Sequence, residues 1–391
     1  MRILFLTPFL PDPGASHGGG SYVGALCEGL REHAELGLVH LDHGDGRTSA
    51  EAGWSWRQSA PYEGAPAGVA HRLRMLWRWR DRPLLAAKYW QAKLPHLLAR
   101  ARAEFRPDVA LVEMAQMAQY LPFLQGLPTV FTDHEAGRPA NAGTGLGAAA
   151  DRRDGALWSR YVRDRYANAD LVQAVTEEDA QALQQLLGRD VLVRPATLPV
   201  PERACRPEAA PRRALFLGDY RHGPNPEAAR RLAHEVWPRV RARHADAELL
   251  LAGPHERTIR DLDGRDGVRV LGFVDDLFAL LASARLVLAP LWSGGGFRVK
   301  NATALLHGLP VVTNELGARG CRAPEPACTV RERVEDLAEA TGALLDAPEL
   351  AARAGAEARR WARQHYAREA VAGLQLERIE QLLGGHGRRP S

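Results

Sequence analysis

The sequence predicts an α/β protein built on two parallel sheets, and three observations carry that prediction. Short apolar runs recur along the 391 residues, each ending in a loop with polar groups and each followed by a helical pattern. The series breaks once, at LPVPERACRPEAAPRR (198–213), where four prolines and no periodicity mark a linker. The chain is also longer than a single core usually fills, about 250 residues.

In the first half the strands are ILFLT (3–7), LGLVHL (36–41), PDVALVE (107–113), PTVFTD (128–133) and ADLVQAVT (169–176). Helical patterns fall at 21–31, 85–103 and 151–167, which makes a first domain over 1–197. Past the linker come ALFLGD (214–219), AELLLAG (247–253), VRVLGFV (268–274), RLVLAPL (285–291) and PVVTN (310–314). Helices at 226–243, 275–283 and 298–307 fill the gaps of a second domain, 214–365. A closing helix over 366–388 is placed against the first domain. Two open sheets of similar size predict ligand capture in a central cleft that both face, since such sites gather at the carboxyl ends of strands.

Composition sets the outer bounds. Hydrophobic residues make up 46% and charged residues 25%, the usage of a globular protein. A net charge of +4 favours anionic partners only mildly. Cys27, Cys205, Cys321 and Cys328 form no C-x-x-C pair and no metal-ligand spacing, so a reduced compartment fits. The apolar run in MRILFLTPFLPDPG is too short for a signal peptide and no run of 18 apolar residues occurs, so a cytoplasmic protein is expected. Residues 72–106 hold ten Lys and Arg against two acids, with Trp77, Trp79 and Trp90 interleaved. Either this stretch docks on an anionic membrane at its inner face, or it is a solvated helix face with its tryptophans in the core. No nucleic-acid module is recognisable, and no nucleic-acid partner is expected.

The stretch SGGGFRVKNATALLHGLPVV (293–312) carries the most chemistry. Gly294, Gly295 and Gly296 follow a strand and precede a helix start, so backbone amides can approach an anion closely. Arg298 and Lys300 stand in the first turn, where the helix dipole disfavours cations unless an anion joins them. A diphosphate suits one backbone nest and two cations better than a single carboxylate does. The other reading is a plain glycine loop whose basic residues face water.

LGFVDDLFALLASARLVLAPLWSGGGFRVKNATALLHGLPVVTNELGARG (271–320) resembles the donor-binding half of the retaining nucleotide-sugar glycosyltransferases. These have the GT-B architecture of two Rossmann-like domains facing a central cleft. The closest likeness is to the glycosyl transferases group 1, family 4-like, whose members build polysaccharides, lipid-linked glycans and glycosylated natural products. FLGDYRHGPNPEAARRL (216–232) and LVEMAQMAQYLPFL (111–124) support the resemblance. It implies that Gly272, Phe273 and Val274 hold the base, and that the glycine loop with Phe297, Arg298 and Lys300 binds the diphosphate. Arg221 is the one basic residue available after the domain's first strand. The resemblance also implies two glutamates separated by seven residues, one at the sugar and one on the ribose. Gly295 and Thr303 occupy those positions, so both acids are missing and Thr303 is left to meet the ribose.

On the first domain, GASHGGGSYV (14–23) is no dinucleotide fingerprint, because its glycines are contiguous and the third one is absent. The resemblance makes Gly19 and Gly20 a close approach to the donor diphosphate, whereas His17 reads equally well as part of a turn. FTDHEAGR (131–138) sets His134 after a strand, and the resemblance assigns it to the reacting sugar as the catalytic residue. A neighbouring carboxylate such as Asp133 is expected to set its tautomer. Glu113, Gln116, Tyr120 and Asp133 are placed on the acceptor side, with a helix cap as the other role for Glu113.

The expected activity is transfer of a sugar from a nucleoside-diphosphate sugar to a hydroxyl acceptor, with retention. No cofactor and no metal are expected, because no D-x-D pair stands where a cation would bridge the phosphates. A nucleotide-sugar 2-epimerase and a non-catalytic nucleotide-binding protein are the competing readings.

Overall fold

The computed structural model describes residues 1–14, 18–44, 53–62, 69–139 and 142–386. It divides into two units, Met1–Pro199 with Arg368–Ser391, and Val200–Ala367.

The first unit is a sheet of β1 (Arg2–Thr7), β2 (Glu35–Asp42), β3 (Trp56–Pro61), β4 (Val109–Glu113), β5 (Thr129–Asp133), β6 (Leu171–Ala174) and β7 (Leu192–Val193). Their order is β3-β2-β1-β4-β5-β6-β7, and every pair is parallel. Alternation along β1 feeds two cores, with Leu4 and Leu6 on one face and Ile3 and Phe5 on the other. The second of these is closed by the helix Gly18–Arg31 and by the helix Arg368–His386, whose Val371, Ala372 and Ile379 are buried there. Gly29 is the contact point, since a Cβ on it would lie 2.8 Å from that of Ala372.

The expected helix over 85–103 is two helices, Leu84–Lys88 and Lys93–Glu104. Tyr120 holds the break: its hydroxyl accepts from the Gln91 amide at 2.6 Å and donates to the Tyr89 carbonyl at 2.9 Å. Pro122 lies in the following segment, Ala115–Leu124, which winds as a 3₁₀ helix.

The second unit holds β8 (Arg213–Leu217), β9 (Glu248–Ala252), β10 (Val268–Gly272), β11 (Leu286–Leu288), β12 (Val311–Thr313) and β13 (Cys328–Val330). All pairs are parallel in the order β10-β9-β8-β11-β12-β13. In both sheets the chain adds strands on one side, then crosses back to the other. The loops after the first and fourth strands therefore diverge and leave a crevice between them. In the second unit these are the loops after β8 and β11.

Residues 200–213 are not a free linker. The Cys205 amide donates to the His307 carbonyl at 2.7 Å, and Pro207 packs where a Cβ on Gly355 would stand 3.0 Å away. The last turn of the helix Val299–Leu306 is thereby capped from this segment.

Gly253, just after β9, has φ +138°, and a Cβ on it would lie 1.9 Å from the Gly218 carbonyl oxygen. Backbone, not a movable side chain, is in the way. Gly253→Ala is expected to lower the unfolding free energy of the second unit by about 2 kcal/mol or more, measured by urea denaturation.

Candidate functional site

In the second unit the loop after β11 is fastened to the helix Pro224–Arg231, which follows the loop after β8. Gly294 packs on Pro224, Ser293 Oγ donates to Glu227 Oε2, and the Arg231 guanidinium lies 4.0 Å from the Trp292 ring centroid. Gly294 and Gly296 adopt φ +93° and +77°, conformations that favour glycine. Around Gly295 there is open space.

The two cations expected to share a phosphate have different surroundings. Arg298 is buried, and its guanidinium donates to the carbonyls of Gly295 (2.8 Å), Gly294 (3.1 Å) and Leu316 (3.1 Å). It folds the glycine loop by neutralising carbonyl oxygens that a bare loop would turn to water. Lys300 instead reaches Asn225, donating from Nζ to Oδ1 at 2.8 Å, and its ammonium lies 4.1 Å from the Phe216 ring centroid. Among the described residues no carboxylate pairs with it. Burial, with Arg298 adding repulsion, pulls the Lys300 ammonium from 10.5 down to about 7.

Arg221 is committed as well. It is mostly exposed and bonds Asp219 at 2.9 Å, and Asp219 also meets His255 at 3.1 Å. The Arg221 hydrogen bonds hold the Asp219 carboxyl down at about 2. Gly272 ends β10 with φ +71°, and Phe273 after it is 69% exposed, a free aromatic face. Val274 follows in the same turn. Phe297 contacts Tyr366 edge-on at 5.5 Å. Thr303 is partly exposed on the helix Val299–Leu306, and its carbonyl accepts from His307 Nδ1 at 2.7 Å. Sequence reasoning missed Asn225, Glu227 and Glu256. Glu256 stands where a Cβ on Gly272 would come 3.3 Å from its carboxyl carbon. These residues enter through chain crossings that no local spacing signals.

The first unit has its own polar cluster, at the carboxyl ends of β4 and β5. His134 Nε2 lies 2.8 Å from Glu113 Oε2, and Arg194 Nη2 donates to the same oxygen at 2.7 Å. All three side chains are buried, Glu113 completely. Burial works to raise the Glu113 carboxyl, but Arg194 and then His134 outweigh it and hold it below its ordinary value. The Tyr22 ring stacks on His134 with centroids 5.9 Å apart.

This corrects two expectations. Asp133 does not orient His134: its carboxylate takes the Tyr166 hydroxyl and the Glu135 amide, and burial pushes it up. Glu113 does not cap a helix: its Oε2 takes both His134 and Arg194, while its Oε1 is buried with no partner among the described residues. Tyr120 is fully buried with its hydroxyl engaged as described, so it presents no polar group to a substrate. Gln116 does line a cavity of about 120 Å³, together with Leu85, Tyr89, Met114, His134 and Glu135. Gly19 is required locally, because a Cβ there would lie 2.0 Å from the Met114 methyl; Gly20 is buried, with its carbonyl accepting from Asp12. His17 lies outside the described residues.

Residues 211–347 match the family Glycosyl transferases group 1, and that domain makes the chain a glycosyltransferase by class. No curated protein matches it in sequence. Among solved structures, sucrose-phosphate synthase from Thermosynechococcus elongatus superposes with a TM-score of 0.68 at 16% identity, covering 98% of this chain and 100% of that one. The Anabaena protein HepE in complex with UDP gives 0.64 at 17% identity, covering 97% and 100%. HepE in complex with UDP-glucose gives 0.61 at 16%, again over 97% and 100%. The chain has the two-domain GT-B fold that these structures share.

Lys300 sets a measurable pH signature. Unfolding restores its ordinary value, so from about pH 7 to 10.5 the unfolded chain binds more protons and stability rises with pH. Lys300→Met should flatten that rise. It should also raise Tm at pH 6–7 by roughly 2–4 °C, the shift that about 1 kcal/mol produces in a domain of this size, read by calorimetry.

Proposed function

We propose that the chain transfers a sugar from a nucleoside-diphosphate sugar to a hydroxyl acceptor on a polysaccharide, lipid-linked glycan or natural product. The observation that carries this reading is Lys300, a half-buried cation without a carboxylate among the described residues, beside a glycine loop at the crevice of the second sheet. An ammonium held short of its charge is completed by a diphosphate. In the transfer step it offsets the charge that builds on the leaving diphosphate. Arg298 contributes indirectly, keeping the Gly294–Gly296 amides in place, and Phe273 offers a face for the base. Retention at the anomeric carbon and independence from metal follow the family resemblance. The HepE complexes support a uridine diphosphate sugar as the first donor to test. His134 is assigned to the transferring sugar, away from the nucleotide. The absence of acids at Gly295 and Thr303 favours one rival, a protein that binds the nucleotide without turnover. Product analysis with candidate acceptors separates the two.

Calorimetry with UDP tests the phosphate assignment. Affinity should be level below about pH 7 and fall as the empty site loses its proton above it. Lys300→Ala should weaken binding by about tenfold or more, the loss of one charge-assisted hydrogen bond, and abolish the pH dependence. Unchanged affinity in Lys300→Ala would overturn the assignment.

The same reading places the protein peripherally on an anionic membrane at its cytoplasmic face. No helix among the described residues is long and apolar enough to cross one. The helix Val69–Arg78 exposes Leu73 (60%), Leu76 (49%) and Trp77 (67%) at i, i+3 and i+4, with Arg74 exposed beside them. Trp79 and Trp90 serve the fold instead, Trp79 donating to Asp154 at 2.7 Å and Trp90 stacking on Tyr120. The protein should sediment with vesicles of phosphatidylglycerol and phosphatidylcholine but not with phosphatidylcholine alone. Leu73→Ser with Trp77→Ser should cut that binding by roughly tenfold, since each removes buried apolar area; equal sedimentation with both vesicle types would remove the membrane from the proposal.

A further inference from the structure

The geometry points to Glu113 and Arg194 as positioning residues that lock His134 in one tautomer, leaving its Nδ1 to accept a hydrogen bond from a hydroxylated ring in the adjoining cavity. This rests on the sugar-transfer reading only for the identity of the ring.

The steps are physical. A buried carboxylate held below its ordinary value carries no proton, so at 2.8 Å the His134 Nε2 must be the donor. Arg194 already balances the Glu113 charge, so the ring needs no second proton to complete the trio. Its other nitrogen, Nδ1, is then a lone pair. It is buried and has no partner among the described residues, which is costly unless something else fills it. His134 also lines the cavity of about 120 Å³, one of the few places from which a partner could come.

The cavity fits a class of ligand. Leu85, Tyr89 and Met114 give it an apolar side, while Gln116, His134 and Glu135 give it hydrogen-bonding groups. The volume is too small for a lipid chain and near that of a single ring. A sugar or cyclic polyol has both surfaces, C–H faces for Tyr89 and hydroxyls for the polar side. Tyr89 also packs on Tyr62 at 4.8 Å, and Tyr62 on His43 at 4.3 Å, an aromatic cluster that adjoins this wall of the cavity.

Nitrogen-15 NMR of histidine-labelled protein, with His134→Ala to assign the signal, tests the tautomer without any substrate. The wild type should show the Nε2–H form. Glu113→Gln should convert it to a mixture or to the Nδ1–H form, because an amide can donate to the ring as well as accept. The same variant should lower kcat by about tenfold or more while leaving the donor KM within about twofold, and Glu113→Asp should recover part of the loss. If Glu113→Gln does not fold because Arg194 is left unpaired, Glu113→Gln with Arg194→Gln removes that charge and gives the same readouts. An Nδ1–H signal in the wild type, or an unchanged tautomer and kcat in Glu113→Gln, overturns the proposal. Absence of turnover with every nucleotide sugar tried, alongside the expected tautomer change, would instead count against the transferase reading and leave the positioning role standing.

Discussion

An all-parallel sheet forces every strand to end on the same edge, and much of the chemistry of this molecule follows from that constraint. Side chains that leave the strands at that edge meet one another although they are far apart in sequence. In the first unit Glu113 ends β4, His134 follows β5 and Arg194 follows β7, and the three share one oxygen atom. In the second, the loops after β8 and β11 bring Asn225 to Lys300 and Pro224 to Gly294. The reversal of strand order opens the crevice, and the loops beside it are free to carry glycine, cations and aromatics because the sheet already satisfies the backbone behind them.

Three buried or half-buried cations show three ways to meet the same electrostatic demand. Arg194 is matched by a carboxylate. Arg298 is matched by backbone carbonyls, its planar fork reaching three of them at once. Lys300 is matched by an amide oxygen and a ring face, which is not enough, and its proton is loosened accordingly. In the first two arrangements the cation's charge is met by groups of the protein itself. The third is incomplete, and an incompletely matched, half-buried charge marks where an anion improves the protein.

Much of the fold was legible because buried parallel strands are continuous apolar runs, and runs such as ALFLGD and PTVFTD cannot be much else. Three of the four edge strands were not. WRQSAP in β3 is polar, β7 is two residues long and β13 three, so each depends on a neighbour's ladder more than on its own pattern. The glycine loop was readable from its triplet, whereas the fate of Arg298 was not, since which carbonyls turn back toward a guanidinium is set by the folded loop. Choosing Asp133 as the partner of His134 followed sequence adjacency. Consecutive residues at a strand end diverge, and the nearest carboxylate came from the adjacent strand, where Glu113 pairs with Thr132.

The helix Arg368–His386 returns the chain to the unit in which it began, so residues 200–367 are an insertion within a discontinuous body. During synthesis the second unit has all of its strands before the first has its last helix. One core of the first unit, lined by Val23, Leu26, Cys27 and Leu30, stays uncovered on its Val371, Ala372 and Ile379 side until that helix too has left the ribosome. The half that emerges first is therefore the half that finishes last.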